Sequence, residues 1–514
     1  MGTKAQVGRV DINLPNRITV DGVDIYDQKG KRMIHASRLS AKFSILPLTQ
    51  GKIVISSAQL FGLDARFYQQ TRASKPNFQF VLDSLASKDT TKHSPLDLQI
   101  KSLIVRRGAL RFDRHDVAPT TGRFNTNHLA INNLSTHIIL NELTDSTLDV
   151  AIKKLSFTEQ SGINLNQLKL KFRADQQRAI VRQLVLRMPH TAFMIDSVNA
   201  TFLSQDKKII MPSLKFNGNI SNSHVTLSDI KSFIPQLSSF NNTIFLQSSF
   251  AGTSTSMNLK ELELHSKPEG IEVSMNGSVS NFENPHWHTN IHHLSLSAKA
   301  VDFIARNMNL KSVKLPEEVV RLGNVNYRGE AGGVGNNLST RGILRTDAGE
   351  VNLGIGVRDG HFSGRIETEK LHLQRILDNN DFGFIATHID VEGNLKMLGG
   401  KQKDFVTAKG TISNFDYKAY TFHDIHLDGT YQDNAFDGAL SMNDPNGVID
   451  LKGIFKTTLK EPVVNIQADV KNLDLAAMKI TEQWRGKKIS AKIDADFGGS
   501  SLNNANGMLN VEDF

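Results

Sequence analysis

The residues from Glu350 to Val357 alternate strictly in polarity. Apolar Val351, Leu353, Ile355 and Val357 are separated by Glu350, Asn352, Gly354 and Gly356. A period of two is that of a β-strand with one apolar face and one wet face. The same alternation runs through Ser40–Ile45, Ala58–Leu63 and Leu96–Ile100. It continues through Gly108–Phe112, through Leu165, Leu168, Leu170 and Phe172, and through Val181, Leu184 and Leu186. Gly, Asn and Asp interrupt these runs about every 8 to 12 residues, the spacing of hairpins. Asn-Gly at 217–218, 276–277, 446–447 and 506–507 supplies candidate tight turns. So does Asp-Gly at 21–22, 359–360, 428–429 and 437–438.

Helical spacing is confined to short stretches: Ser228–Ile234 before Pro235, Ser297–Asn307, and Leu475–Trp484. Two of them follow a Leu-x-Leu strand end, Leu294–Leu296 and Leu473–Leu475. A third such end, Leu371–Leu373, leads into Arg375-Ile376-Leu377. Landmarks also recur in order about 100 residues apart. Leu371-His372-Leu373 returns as Leu473-Asp474-Leu475, Ile389–Glu392 as Ile493–Asp496, and Ala408-Lys409-Gly410 as Ala505-Asn506-Gly507. Recurrence at a fixed period marks an array whose units pack on their neighbours, and the second copy stops short, as a piece of a longer chain would. Polar Ser87–Ser94 and glycine-rich Gly329–Ser339 read as linkers. They divide the chain into an N-terminal β region (1–90), a β-rich region with short helices (91–330) and repeated units (331–514). The fold expected is mostly β: an elongated, repetitive antiparallel sheet rolled into a hydrophobic groove, with a few short helices.

Composition narrows the function. The chain of 514 residues has no cysteine, which excludes disulfides, thiolate metal sites and cysteine nucleophiles and suits an oxidising compartment. No apolar run approaches a membrane-spanning length, and no basic start with an apolar stretch opens the chain. The formal charge of +8 is uneven: residues 1–115 hold 19 Lys and Arg against 9 Asp and Glu, and the remainder is slightly acidic. Lys29, Lys31, Arg32, Arg38 and Lys42 form one cluster; Arg106, Arg107, Arg111 and Arg114 form another. Such a region is either a solvated face or one attracted to an anionic membrane surface. Nucleic acid is not expected as a partner, since no helix gathers these charges and aromatic stacking residues are few.

The inventory of catalytic motifs is thin. No nucleophile elbow, phosphate-binding loop or zinc-protease helix is present. Gly354-Ile355-Gly356 sits inside an alternating strand and lacks the helix a dinucleotide turn requires. His286 and His288 share a strand face near His292 and His293, and two imidazoles so spaced could share a metal. No close carboxylate completes the set, so exposed histidines are the simpler reading. Asp113, His115 and Asp116 read as a polar loop. No catalytic residue, cofactor or metal is expected, and the chain does not read as an enzyme.

Several phrases resemble the TamB-type proteins of the AsmA-like superfamily. They are Asp11–Ile25 (DINLPNRITVDGVDI) with Tyr26–Gly30, then Gly51–Ile55, Asn77–Asp83, Gln160-Ser161-Gly162 and Thr226–Pro235. Gly410–Tyr417 and Asp444-Pro445-Asn446 follow in the second half. Asn77–Asp83 is similar to a phrase of the Bacteroidota branch. The resemblance implies a periplasmic protein anchored in the inner membrane by an N-terminal helix this sequence lacks. It implies a β-sheet rolled into a long greasy groove, a β-taco, that carries phospholipids towards the outer membrane. It further implies a BamA-family outer-membrane partner, met through a C-terminal domain beyond Phe514. The expected function is a lipid conduit, with phospholipid acyl chains against Val351, Leu353, Ile355, Val357, Leu371, Leu373, Ile489 and Ile493. The alternative is a scaffold assisting the assembly of outer-membrane β-barrels or secretion, its groove holding a protein strand by edge pairing.

Overall fold

The computed structural model describes residues 3–13, 15–48, 54–86, 99–144, 146–205, 208–234, 242–268, 270–307, 317–335, 337–394, 403–456, 463–498 and 506–512. It is mostly β, and its strands pair almost entirely with their sequence neighbours in antiparallel register. The expected fold class therefore holds. Two compact units divide the chain, Met1–Lys260 and Glu261–Phe514. The Ser87–Ser94 linker lies outside the described residues. Gly329–Ser339 is not a linker but the heart of a hairpin, Val325–Val334 paired with Asn337–Thr346. Its glycines are there for close approach: a Cβ on Gly329 would stand 2.6 Å from the Cα of Gly342.

In the first unit the strands Arg17–Tyr26, Arg32–Phe43 and Val54–Gln69 are antiparallel neighbours. Val54–Gln69 then pairs in parallel with Ser102–Arg114, which the alternation pattern did not indicate. A parallel pair needs a long crossover, and part of this one is the helix Gln79–Ala86. The apolar positions stay in register across the sheet: Val20, Leu39, Leu60 and Val105 are successive cross-strand partners, and the row continues through the buried Thr136 to Leu155. Residues in left-handed conformation interrupt the ladders at Arg107, Asn133, Gln183 and Asn222. Each adds an unpaired residue, and such bulges raise the local twist.

The second unit is a meander from Ile271–Ser280 to Asn506–Glu512. Its covers lie at the ends of strands that run in one direction, hence at one rim. They are the helix Ala298–Asn307 after Leu296, the helix Leu373–Leu377 after His372, and a turn after Leu473. The expected helix over Leu475–Trp484 is only that turn. Lys479 is left-handed (φ 56°) and the Ile480 N–H donates back to the Leu475 carbonyl, a closure that ends a helical turn. Ser228–Ile234 likewise shortens to a 3₁₀ turn, Leu227–Ile230. Met478 is fully buried under the rim with Ile425, Met442, Val470 and Leu473.

The first two repeat landmarks are structurally equivalent. Leu371 faces Gly349 (φ 140°), and Leu473 packs on Gly447 (φ 148°). The third is not: Gly410 opposes Ile389, whereas Val511 opposes Ile493 and Gly507 opposes Phe497. Most of the dipeptides expected as turns also lie inside strands. Residues 217–218, 276–277, 428–429 and 437–438 are mid-strand, while Asp359-Gly360 does turn a hairpin, both residues at positive φ. Lys418-Ala419 and Asp433-Asn434 make equivalent left-handed turns without any glycine.

Candidate functional site

Cross-strand register decides which of the expected groove residues share a face. Partners of Leu353 run through Ile366, Ile389, Gly410, Leu427, Leu440, Leu451 and Ala468 to Ile493. Leu353 and Ile493, on strands far apart in sequence, thus end one uninterrupted apolar row. Ile355 leads a parallel row through Gly364, Val391, Ala408, Gly429, Gly438, Gly453 and Ile466. Val357 leads a third through Phe362, Gly393, Val406, Tyr431, Phe436 and Phe455. Val351, Leu353, Ile355 and Val357 alternate with the polar positions, so all these rows lie on one face. Leu371 sits at the rim opposite Gly349 and Ile385, and Ile489 opposes Leu473. Leu373 is the first residue of a cover helix and stands outside the strand rows.

The face grades from closed to open along its width. Val351 is buried near the covers; Leu353, Ile355 and Val357 are half-buried. Tyr431 and Phe455, in the outermost row, are 48% and 46% exposed. Sequence alternation located the face but not this aromatic row, whose signal was an aromatic residue recurring close to hairpin turns.

Glycine shows which way the backbone closes. Cβ atoms added on the apolar face at Gly364, Gly410 and Gly453 would lie 2.8, 2.8 and 2.7 Å from the partner's Cα. On the other face an added Cβ at Gly354 meets nothing nearer than Arg341 Nε at 3.8 Å, and one at Gly356 nothing nearer than 3.9 Å. The backbone crowds towards the apolar side and is open on the polar side. Aromatic rings fill part of the crowded side: Phe362 lies against Gly393, with a ring carbon 2.8 Å from where a Cβ would be, and Phe436 lies against Gly438 at 3.1 Å.

The polar face carries charge in a row of its own. Glu330, Arg341, Gly354, Arg365, Asp390, Lys409 and Asp428 are successive partners. Arg365 Nε donates to Asp390 at 2.7 Å, and Lys409 Nζ lies 2.7 Å from Asp428. The hydrogen bond from Arg365 holds the Asp390 carboxyl below its usual range, and the bond to Asp428 raises Lys409. Both pairs are exposed, and such pairs contribute little to stability. A hollow of about 1260 Å³ lies among these side chains over Gly354 and Gly356. Gly354 and Gly356 leave this gap on the wet face, and Leu353, Ile355 and Val391 of the apolar rows also border it.

The remaining candidates are scattered. His288 Nε2 lies 3.8 Å from Glu330, His293 Nε2 lies 3.8 Å from Glu272, and His292 hydrogen-bonds Asn276. Among the described residues no three His, Asp or Glu side chains converge as a metal site. Asp113 hydrogen-bonds His128, Asp116 pairs with Arg114, and His115 stacks on Tyr68. Gly354-Ile355-Gly356 is mid-strand. Among the described residues no helix is long and apolar enough to cross a membrane. No protein-family model, curated protein or solved structure matches the chain.

Proposed function

We propose that the apolar face of the second unit binds phospholipid acyl chains and that the protein is a non-enzymatic lipid conduit. The observation that supports this reading is the unbroken register of apolar rows from Leu353 to Ile493 on a face that stays half-exposed. A face of that kind is unfavourable in water, and a contiguous one marks a binding surface. Acyl chains suit it chemically. Each CH₂ moved from water contributes about 0.8 kcal/mol, the contact needs no directional partner, and rows of branched and aromatic side chains ask for none. Placement in a periplasm between two membranes, with inner-membrane anchoring and a BamA-family partner, belongs to the same proposal and rests on the sequence resemblance.

Photocrosslinking residues placed at Leu353 and Ile355 test it. Phospholipid adducts are expected, together with loss of co-purifying lipid in Leu353→Asp/Ile355→Asp at unchanged circular dichroism. Adducts to polypeptide alone would replace the conduit with the assembly scaffold.

A further inference from the structure

The first unit carries a different feature on its polar face. Asp21, Arg38, Phe61 and Arg106 are successive cross-strand partners. Neighbouring residues of a strand normally point to opposite faces, so Arg107 should turn away from Arg106. It does not. Arg107 is left-handed (φ 54°) and the register shifts between Val105 and Gly108. Its guanidinium lies 5.4 Å from the centre of the Phe61 ring, the ring that Arg106 opposes. The bulge therefore delivers two successive arginines to one side, a known use of bulges. Beside them Ser37, Ser40 and Gln59 line a hollow of about 400 Å³ that Arg106 also borders.

Charge on this face is one-sided. Asp21 is held by Arg38 at 2.6 Å and Asp11 by Arg9 at 2.8 Å. Among the described residues no carboxylate pairs with Arg106 or Arg107, nor with Lys42 or Lys154 nearby on the same face. Phe61, 42% exposed between the arginines, excludes water from one side of the pair. Two planar donors, hydroxyl and amide groups and an apolar wall match a phosphate oxyanion with an organic substituent.

We propose that Arg106 and Arg107, with Ser37, Ser40 and Gln59, form a site for a phosphate ester, as in an anionic phospholipid headgroup. This goes beyond the acyl-chain reading: it concerns the other unit and the other face, and holds whether or not the apolar rows carry lipid.

The test is vesicle flotation of the whole protein on phosphatidylcholine with and without phosphatidylglycerol. Arg106→Ala/Arg107→Ala is compared with Lys169→Ala/Lys171→Ala, a charge-matched pair exposed on another strand. The arginine variant should bind phosphatidylglycerol vesicles roughly thirty-fold more weakly, from about 1 kcal/mol per basic residue, while the lysine variant binds as the wild type does. Inorganic phosphate that displaces the wild type where chloride of equal ionic strength does not would show that the site takes the soluble form of the same group. Binding of inorganic phosphate without vesicle binding, lost in the arginine variant, would assign the site to that soluble form. Equal losses in both variants, or binding to neither vesicle nor phosphate, overturns the proposal. Unchanged melting of the variants separates site loss from unfolding.

Discussion

Glycine is the residue whose role changed most between sequence and structure. Asn-Gly and Asp-Gly signal hairpin turns because glycine tolerates positive φ, yet Gly218, Gly277, Gly429 and Gly438 lie mid-strand. What they share is invisible locally: a partner backbone or ring occupies the place of their Cβ. Gly453 combines this crowding with φ 149°, a conformation essentially reserved for glycine. Gly453→Ala is expected to destabilise the second unit by about 1–3 kcal/mol or more. Gly354→Ala, whose new methyl enters open space on the wet face, should be neutral or stabilising by up to about 1 kcal/mol. Trp287 and Trp484 both lie in the second unit, so denaturation followed by tryptophan fluorescence reads this difference. Equal midpoints for the two variants would show that the crowding is not confined to the apolar side.

At the scale of elements, the strands were largely legible because alternation is a direct consequence of one-sided burial. Val351 to Val357 needed no partner to be recognised. The covers after Leu296 and Leu371 were legible too, from apolar spacing, but Leu475–Trp484 was not, because the left-handed Lys479 closes it after one turn. The bulges at Arg107 and Gln183 left no sequence signal, since neither side chain favours positive φ; Asn133 belongs to a type enriched there, but one asparagine within a strand does not mark a bulge. One polar tie between elements carries a pH dependence. His128, buried at the start of the strand His128–Leu143, hydrogen-bonds Asp113 at 3.0 Å through Nδ1 and the Val117 carbonyl at 2.7 Å through Nε2. The Asp113 bond raises its pKa against the opposing effect of burial, with help from the Val117 carbonyl. A folded-state pKa above the unfolded value of about 6.5 means full stabilisation below that pH. The stabilisation is lost as pH rises through the folded value. Wild-type melting temperature should therefore fall with rising pH from about 6.5 upward, while His128→Gln lacks this component. Parallel profiles would assign the pH dependence elsewhere.

For the whole molecule, the surface itself argues for a ligand. Among the described residues each unit is built on one sheet without a second layer, so the apolar face lacks the partner sheet that a sandwich would supply. Cores normally hide such faces. Here the first unit keeps Leu39, Leu60 and Val105 in register, and the second keeps the Leu353–Ile493 row. If acyl chains complete the second unit, the protein free of lipid should be measurably less stable than the protein as purified. A ligand bound at a hundred times its Kd stabilises by about 2.7 kcal/mol. Detergent extraction followed by gel filtration should lower the tryptophan-reported denaturation midpoint and raise binding of a hydrophobic dye, and added phospholipid should reverse both. Leu353→Asp/Ile355→Asp should show the lipid-free midpoint before extraction and no response to added lipid, because carboxylates within the rows carry a desolvation cost that an acyl chain cannot offset. A midpoint indifferent to extraction in the wild type would mean that the apolar rows are satisfied by the curvature of the sheet alone, and that lipid is not what completes them.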